Sequence, residues 1–288
     1  MKKKIFILIY ILFIPMTAIC CEHDKINLEN LSQNINVHFI NVGQGDSILI
    51  QVNNKNLLID SGPKDSKKNI INYLDNLNIK KIDFLLATHP HEDHIGNMSE
   101  IIKKYDIKTF YSPKVISTTK SFESMIDALK SKNLKINILK AGSSSIDLGE
   151  NTSVSIFSPN KDKYMSGNTE NLNNYSPVIL IRFGKNKFLF TGDAEKDVEK
   201  EILSSNIDIK ADILKLGHHG SSTSTSEEFL NAVNPSIGVI SVGEDNSYGH
   251  PHKEVLNLLN SKKIKILRTD IDGDIILSSD GKNIFQVN

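Results

Sequence analysis

The sequence predicts an α/β protein, a four-layer αββα sandwich built from two similar halves. A unit of two strands, an aspartate, a helix and a strand ending in histidines occurs twice along the chain. Each unit would form a sheet with helices on one side, and two such sheets would bury their open faces against each other. The matched strand ends would then converge at one edge, bringing the aspartates and histidines together.

The first unit begins near Asn36 with two apolar runs joined by the turn NNKN, and the second run ends on Asp60. The next segment, KKNIINYLDNLN, has apolar residues at helical spacing. After it, IKKIDFLLATHPHEDH is a buried strand that ends in a histidine cluster. Six residues separate Asp83 in this strand from His89.

The second unit repeats this order. SPVILIRFGKNKFLFTGD has two apolar runs joined by GKNK and ends on Asp193, EKDVEKEILSSN is helical, and DIKADILKLGHHGSS is a strand ending in histidines. Asp212 and His218 are again six residues apart. The repeat therefore predicts that His218, rather than His219, occupies the position equivalent to His89.

The N-terminus is predicted to be separate from this fold. Residues 1–21 have three lysines, ten apolar residues from Ile5 to Ile14 and then Pro15, which is the layout of a secretory signal peptide. An uncleaved N-terminal anchor is the alternative. We predict a linker at 22–35, the folded domain at 36–288, and a secreted or extracytoplasmic surface location, with membrane attachment possible only through the N-terminus.

The composition limits the chemistry. The two cysteines, Cys20 and Cys21, are adjacent at the end of the predicted signal, so the domain has no disulfide framework, thiolate ligand or cysteine nucleophile. Basic and acidic residues number 34 each, so net charge gives no reason to expect affinity for nucleic acid. A lysine-rich stretch at 100–140 could guide phosphates, although a solvated helix face explains it better.

Histidines are concentrated at the predicted strand ends. Seven of the nine fall in three short stretches: His89, His91 and His94; His218 and His219; His250 and His252. Imidazole and carboxylate groups are ligands for zinc, manganese and iron. Asp93 could alternatively cap a following helix, but a cap needs one residue and not a group of histidines. The clusters therefore predict a metal centre.

Two ions that share one carboxylate could hold a phosphoryl oxygen between them. The predicted ligands of two divalent ions, Mn²⁺ or Zn²⁺, are His89, His91, Asp93, His94, Asp193 and His218. The two residues of the H-x-H pair can reach one ion, and Asp93 and His94 can reach the other. Asp193 is the predicted bridge, and His218 would complete the second ion. Asp60 is predicted to accept an imidazole N–H.

These motifs resemble those of a known family. THPHEDH, TGD and GHHGS resemble the metallo-β-lactamase fold superfamily. INVGQGDSILI, LLIDSG, NNYSPVILIRFG, FLFTGDA, DILKLGHHGSS and NSYGHPH look like the C-terminal hydrolase domain of ComEC competence proteins, from about Asn36 onward. The resemblance implies a divalent-metal hydrolase that acts on phosphodiesters of DNA. ComEC proteins also carry a multi-helix membrane channel and an OB-like segment, and this sequence has neither, so the resemblance implies the hydrolase activity and leaves a role in DNA uptake open.

The sequence departs from the wider superfamily at one ligand. No histidine lies between His94 and His218, where that superfamily usually has a further ligand of the first ion. Asn173 or Asn174 in NTENLNNYS could supply an amide oxygen instead, or could simply form the turn before a strand. An amide oxygen is a harder and weaker ligand than imidazole, so the first site is expected to favour manganese.

The remaining candidates surround this centre. We expect His250 to contact substrate or to protonate the leaving oxygen, and His219 to support a ligand or contact substrate. Ser221 lies in a Ser/Thr-rich loop that could receive a phosphate or cap a helix. Gln44 and Asp46, in VGQGDS, are expected to edge the site, although a turn that needs two glycines also explains the motif.

Together these features predict an exported, divalent-metal-dependent hydrolase. We expect a phosphodiesterase or nuclease in which a metal-bound hydroxide attacks DNA, with Asp93, His219 and His250 acting in catalysis. A metallohydrolase of another exported substrate, such as a β-lactam, is the alternative. No protein partner is predicted.

Overall fold

The computed structural model describes residues 34–143 and 145–287. The predicted signal peptide or anchor (1–21) and all of the predicted linker before Asn34 lie outside the described residues. The first strand begins at Ile35, one residue before the predicted start of the domain. Within the described part of the chain, no helix is both long enough and apolar enough to cross a bilayer.

Two sheets form the centre of the molecule. From edge to edge, the eight-stranded sheet contains β16 (Ile284–Val287), β15 (Ile275–Ser279), β1 (Ile35–Phe39), β2 (Ile48–Val52), β3 (Lys55–Ile59), β4 (Lys81–Leu86), β5 (Asp106–Ser112) and β6 (Ile136–Ile138). The six-stranded sheet contains β14 (Lys265–Arg268), β13 (Ile237–Ile240), β12 (Ile213–Lys215), β11 (Asn186–Phe190), β10 (Ile179–Phe183) and β7 (Thr152–Ile156). A short ribbon consists of β8 (Met165–Ser166) and β9 (Thr169–Glu170).

Helices cover the outer faces of both sheets. The helices that follow strands of the eight-stranded sheet are α1 (Lys67–Asn76), α2 (Glu92–Ile95), α3 (Met98–Lys104) and α4 (Lys120–Ser131). Those that follow strands of the six-stranded sheet are α5 (Lys196–Ser204), α6 (Glu227–Val233), α7 (Lys253–Ser261) and α8 (Thr269–Asp272). Short 3₁₀ turns lie at Lys64–Ser66 and Leu172–Tyr175, and a tight turn with left-handed angles at its two central residues spans Gly217–Gly220.

Alternating side chains of the strands divide the interior into three hydrophobic cores. On β11, Phe188 and Phe190 point into the core between the two sheets, whereas Leu189 points into the core beneath the helices. On β3, Leu58 packs beneath the helices of the other outer layer. Strands buried on both faces, such as β3 and β11, read as nearly continuous apolar runs. The three cores separate four layers, which confirms the predicted αββα sandwich.

The predicted repeat is present in the strand connections. β2 and β3 are antiparallel and β3 runs parallel to β4. In the other sheet, β10 and β11 are antiparallel and β11 runs parallel to β12. Parallel neighbours end at the same edge of a sheet, so the residues that follow β3, β4, β11 and β12 are brought to one edge of the sandwich.

Candidate metal centre

Asp193, immediately after β11, lies at the centre of the histidine clusters. Its Oδ2 atom is 3.3 Å from His94 Nε2, 3.6 Å from His219 Nε2, 3.7 Å from His218 Nε2 and 3.8 Å from His89 Nε2. The Asp193 side chain is only 2% exposed. One buried carboxylate oxygen therefore faces imidazoles from both halves of the molecule, which is the geometry that a bridging ligand needs.

Four side chains form the more compact group of donors. Ligand atoms of Asp93, His94, Asp193 and His219 all lie within 4.8 Å of one another. His219 Nε2 is 3.2 Å from Asp93 Oδ2, and His94 Nε2 is 3.8 Å from the same oxygen. Two imidazoles and two carboxylates at this spacing suit one divalent ion.

The second group lies on the other side of Asp193. His89 Nε2 is 2.9 Å from His91 Nδ1, and both rings are available to one ion together with Asp193. His218 Nε2 also faces Asp193. Burial lowers the pKa of His89 well below its ordinary value, which keeps this imidazole neutral, as metal coordination requires.

The buried donors fit a metal ion. Among the residues that the structure describes, His94 Nε2, His219 Nε2 and Asp193 Oδ1 are buried without a hydrogen-bond partner. Buried polar atoms are nearly always paired, and a shared cation would satisfy all three at once. The chemistry of the donor set therefore matches the metal that the sequence predicts.

Asp60 holds His94 from behind. Its Oδ2 atom is 2.8 Å from His94 Nδ1, and the backbone N–H and hydroxyl of Thr88 donate to the same carboxylate at 2.8 and 2.7 Å. A carboxylate on Nδ1 fixes the proton there, so the lone pair of Nε2 faces the cluster. Asp60 thus lies where a residue that orients a metal ligand belongs.

The distances place His219, and not His218 as predicted, in the donor group of the second ion with Asp93 and His94. His219 is 1% exposed and lies in the compact group, whereas the His218 side chain is 23% exposed and lies at its rim. Both residues have left-handed backbone angles, with φ of 48° and 54°. This turn departs from the path that the chain follows after β4, so the six-residue spacing does not decide which of the two histidines enters the compact group. Strained non-glycine residues of this kind cluster at functional sites.

A buried lysine that the motifs did not identify lies behind His219. Lys215, at the end of β12, is fully buried, and its Nζ is 2.6 Å from Asp46 Oδ2. The other oxygen of Asp46 is 3.5 Å from His219 Nδ1, which also lies 2.9 Å from the Ser241 carbonyl oxygen. A lysine within the otherwise apolar run ILKLG was the available signal, because a buried cation requires a partner.

The GQGDS turn packs against the histidine loop. A Cβ atom at Gly45 would collide with the carbonyl oxygen of Asp93, so this close approach requires glycine. The backbone N–H of Asp46 donates to the same carbonyl at 3.2 Å. Gln44 lines the cavity above the metal centre, and its Oε1 accepts the backbone N–H of Gly243 at 3.2 Å.

The two asparagines have different surroundings. Asn174 Oδ1 already accepts the backbone N–H of Glu195 at 2.9 Å. Asn173 donates to Glu195 Oε1 at 3.0 Å, while its own buried Oδ1 has no partner within the described part of the chain and the residue lines the cavity. Of the two, Asn173 is therefore the one with a free amide oxygen. Glu195, which the sequence reasoning missed, is 3.6 Å from His218 Nδ1.

The electrostatics of Glu195 reflect these contacts. Burial alone would raise its pKa, but hydrogen bonds involving His218, Asn173 and Asn171 lower the pKa to about 2. The carboxylate is consequently ionised at neutral pH and orients both His218 and Asn173.

A cavity of about 360 Å³ opens above these ligands. His250 lines it beside His218, with 5.5 Å between the ring centroids. Burial, reinforced by the neighbouring histidines, lowers the pKa of His250 to about 4, so this imidazole is neutral at pH 7. It can donate a hydrogen bond but carries no extra proton for a leaving group.

Ser221, a predicted site residue, and His252 from the third histidine cluster are engaged elsewhere. Ser221 is 3% exposed, and its hydroxyl lies 3.1 Å from that of Thr223. His252 Nδ1 accepts the backbone N–H of Ser222 at 2.9 Å, away from the cavity lining. Ser221 therefore supports the loop and does not reach the cavity itself.

Comparisons with known proteins agree with this geometry. Residues 40–244 match the Metallo-beta-lactamase superfamily. The chain is 33% identical over 263 residues to ComE operon protein 3 of Bacillus subtilis, covering 85% of this chain and 33% of that protein. It is 30% identical over 244 residues to Recombination protein 2 of Haemophilus influenzae, covering 83% of this chain and 28% of that protein. The chain thus spans about a third of the length of these relatives.

A solved structure shows the same fold. The metallo-beta-lactamase fold protein YhfI from Bacillus subtilis superposes with a TM-score of 0.57 at 12% identity, covering 85% of this chain and 99% of that one. The histidine and aspartate cluster at the strand ends, the four-layer sandwich and the match over residues 40–244 lead to one conclusion. The chain belongs to the metallo-beta-lactamase superfamily and is a metal-dependent hydrolase.

Proposed function

We propose that this hydrolase is an exported phosphodiesterase, a nuclease that cleaves DNA with two divalent ions. The observation that carries the proposal is the position of Asp193, whose Oδ2 lies 3.3 to 3.8 Å from four imidazole nitrogens. A shared carboxylate between two donor groups suits a pair of ions that clamps a phosphoryl group.

The donor groups divide between the two ions. His89, His91 and His218 would hold the first with Asp193, and Asn173 would supply an amide oxygen. Asp93, His94 and His219 would hold the second with the same Asp193. Bound ions would polarise the phosphoryl group and activate a water molecule for attack.

The protein's own residues orient this centre and the substrate. Asp60 holds His94, and Asp46 lies behind His219, so both rings are fixed before substrate arrives. A neutral His250 at the cavity wall can donate a hydrogen bond to a phosphoryl oxygen as negative charge develops there. Because its pKa is about 4, we assign protonation of the leaving oxygen to water.

DNA is supported as the substrate by two lines of reasoning. The ComEC-like motifs imply phosphodiester chemistry, and a relative at 30% identity is named a recombination protein, a name that refers to a reaction of DNA. Export is proposed from the lysine-rich and apolar start of the sequence, at residues 1–21.

The amide at Asn173 leads us to propose manganese as the most active metal. Zinc binds imidazole tightly by the usual order of affinity, but an oxygen-rich, open shell suits an ion that tolerates six ligands and exchanges them quickly. We therefore expect Mn²⁺ to give the fastest cleavage and excess Zn²⁺ to inhibit.

One activity panel tests the proposal. Dialysed protein is assayed with plasmid DNA, single-stranded DNA, RNA, a β-lactam and bis-p-nitrophenyl phosphate, each with Mn²⁺, Zn²⁺ and Mg²⁺. Metal-dependent cleavage of DNA that is lost in Asp193→Ala supports the proposed function. Turnover of the β-lactam without cleavage of any phosphodiester would overturn it. Cell fractionation tests export, and full recovery of an unprocessed chain from the cytoplasm would contradict it.

A further inference from the structure

Tyr248 is an exposed aromatic residue at the wall of the metal cavity. It lies in the loop between β13 and α7 and is 66% exposed. Its ring stacks on His250, with 5.6 Å between the centroids and 20° between the planes. Both residues line the cavity. One face of Tyr248 therefore rests on His250, and much of the ring is open to solvent.

The ring of Tyr248 continues a row that starts at the metal centre. The centroids of His94 and His219 are 5.3 Å apart with 39° between the planes, and those of His219 and His250 are 6.4 Å apart with 32°. Tyr248 is the outermost member of this row. A group that extends outward from the clustered ligands along this wall would meet the flat face of an aromatic ring.

The loop that carries Tyr248 is held in place by Asn246. The Asn246 amide donates to the carbonyl oxygens of Gly243 at 2.9 Å and His250 at 2.7 Å. Its oxygen accepts the backbone N–H of His250 at 3.0 Å. Gln44 from the other half of the molecule holds Gly243 as well. The backbone on both sides of Tyr248 is therefore held before a ligand binds, which lowers the entropy cost of binding.

The charge of the cavity limits how a substrate can be held there. Within the described part of the chain, the lining has carboxylates at Glu92, Asp93 and Asp193 but includes neither lysine nor arginine. A long phosphate backbone would find no fixed cation on this wall. Binding at the cavity would instead depend on the metal ions at one phosphodiester and on a contact that needs no charge.

We propose that Tyr248, backed by His250, stacks on one unpaired nucleobase next to the scissile phosphodiester, so that the enzyme acts on single-stranded nucleic acid. A base in a duplex has both faces covered by its neighbours, whereas an unpaired base offers a free face, and base–aromatic stacking is largely independent of sequence. This proposal rests on the proposed function and names the substrate class of the same site.

The test compares Tyr248→Ala with Tyr248→Phe in the Mn²⁺-loaded protein. Phe285→Ala is the matched control, because Phe285 is also an exposed aromatic, at 42%, but lies on the edge strand β16. With a single-stranded oligodeoxynucleotide, Tyr248→Ala should raise KM about tenfold, since stacking is worth roughly 1–3 kcal/mol per base, and leave kcat unchanged. Tyr248→Phe and Phe285→Ala should retain the wild-type KM.

The same strand with single abasic positions separates stacking from general damage. At one position next to the cleavage site, loss of the base should raise the KM of the wild type as much as Tyr248→Ala raises the KM for the intact strand. Tyr248→Ala acting on this abasic strand should show no further increase in KM. RNA of the same sequence should show the same dependence on Tyr248, and a blunt duplex should show none. The proposal is wrong if Tyr248→Ala leaves the KM for the intact strand unchanged. It is also wrong if Tyr248→Ala raises the KM for the abasic strand as much as it raises the KM for the intact strand.

A binding measurement keeps the two proposals distinguishable. If the wild-type protein cleaves no nucleic acid, the proposed function fails, and fluorescence anisotropy of the labelled oligonucleotides decides the stacking proposal alone. The stacking proposal is supported if Tyr248→Ala binds the intact strand about tenfold more weakly than the wild type and binds the abasic strand with wild-type affinity. Equal affinity of wild type and Tyr248→Ala for the intact strand refutes it.

Discussion

Replacing Lys215 with methionine should severely destabilise the metal-free protein. Lys215 and Asp46 form an ion pair at 2.6 Å in which the two side chains are 0% and 2% exposed. Methionine preserves much of the side-chain volume but leaves the Asp46 carboxylate buried without its cation. Removing one partner of a buried pair costs about 3–5 kcal/mol of folding free energy, because the remaining charge stays desolvated.

A second variant separates this charge effect from a packing defect. In Lys215→Met combined with Asp46→Asn, no buried charge is left unpaired, so the double variant should recover most of the lost stability. The interaction free energy from the double-mutant cycle should reach or exceed about 3 kcal/mol, the upper end of the range for residues in contact, because each single change leaves one buried charge unpaired. Lys55 offers a matched control: its Nζ lies 3.1 Å from Asp147 Oδ2, but the Asp147 side chain is 80% exposed. Lys55→Met should cost about 1 kcal/mol or less.

Urea unfolding of the EDTA-treated proteins, followed by circular dichroism, measures these free energies. Metal must be removed, since an ion that binds only the folded state would add its own stabilisation. The reasoning would be refuted if Lys215→Met lost no more stability than Lys55→Met. It would also be refuted if the double variant were as unstable as the single one, because the cost would then come from packing and not from the unpaired carboxylate.

Four further outcomes are expected. Asp193→Ala should abolish hydrolysis and lower the bound metal measured by mass spectrometry, and wild-type metal content would contradict a bridging role. His219→Ala should lose one ion more completely than His218→Ala in a metal titration, and the reverse order would restore the assignment from the repeat. Asn173→His should tighten the first site and shift the preferred metal from manganese toward zinc, as a metal series of turnover rates would show. Burial lowers the pKa of His38 from 6.5 to about 4, so stability should fall as pH drops from 6.5 to 4, by at most about 3 kcal/mol at this site; His38→Gln should show a smaller loss in urea unfolding at each pH.

The fold could be predicted because the sequence patterns that specify its strands and strand ends are local and occur twice. The central strands are buried on both faces and therefore read as apolar runs, and each half places an aspartate and then histidines directly after such runs. Parallel strands end at a common edge whatever the details of their side chains. The ligand-bearing segments could thus be assigned to one edge before any distance was known.

The individual roles were less accessible because they depend on backbone angles and on long-range contacts. His218 and His219 are neighbours in sequence, and only the left-handed turn, with φ of 48° and 54°, determines which ring enters the compact group. The pairing of Lys215 with Asp46 joins distant parts of the chain, so no spacing rule could reveal it. The choice of Asn173 over Asn174 likewise required the hydrogen bonds of Glu195.

The four donors of the compact group come from both halves of the molecule. Asp93 and His94 come from the first unit, whereas Asp193 and His219 come from the second, and their ligand atoms lie within 4.8 Å. Without an ion, holding these groups together would be costly, because His94, Asp193 and His219 are buried and have polar atoms that lack partners within the described part of the chain. Packing between the sheets must therefore offset that cost. An ion would bind only when the two halves are assembled, and its binding would remove this cost. Metal affinity and the free energy that holds the halves together are therefore coupled. Substitutions far from the ligands that weaken the contact between the sheets should consequently weaken metal binding as well.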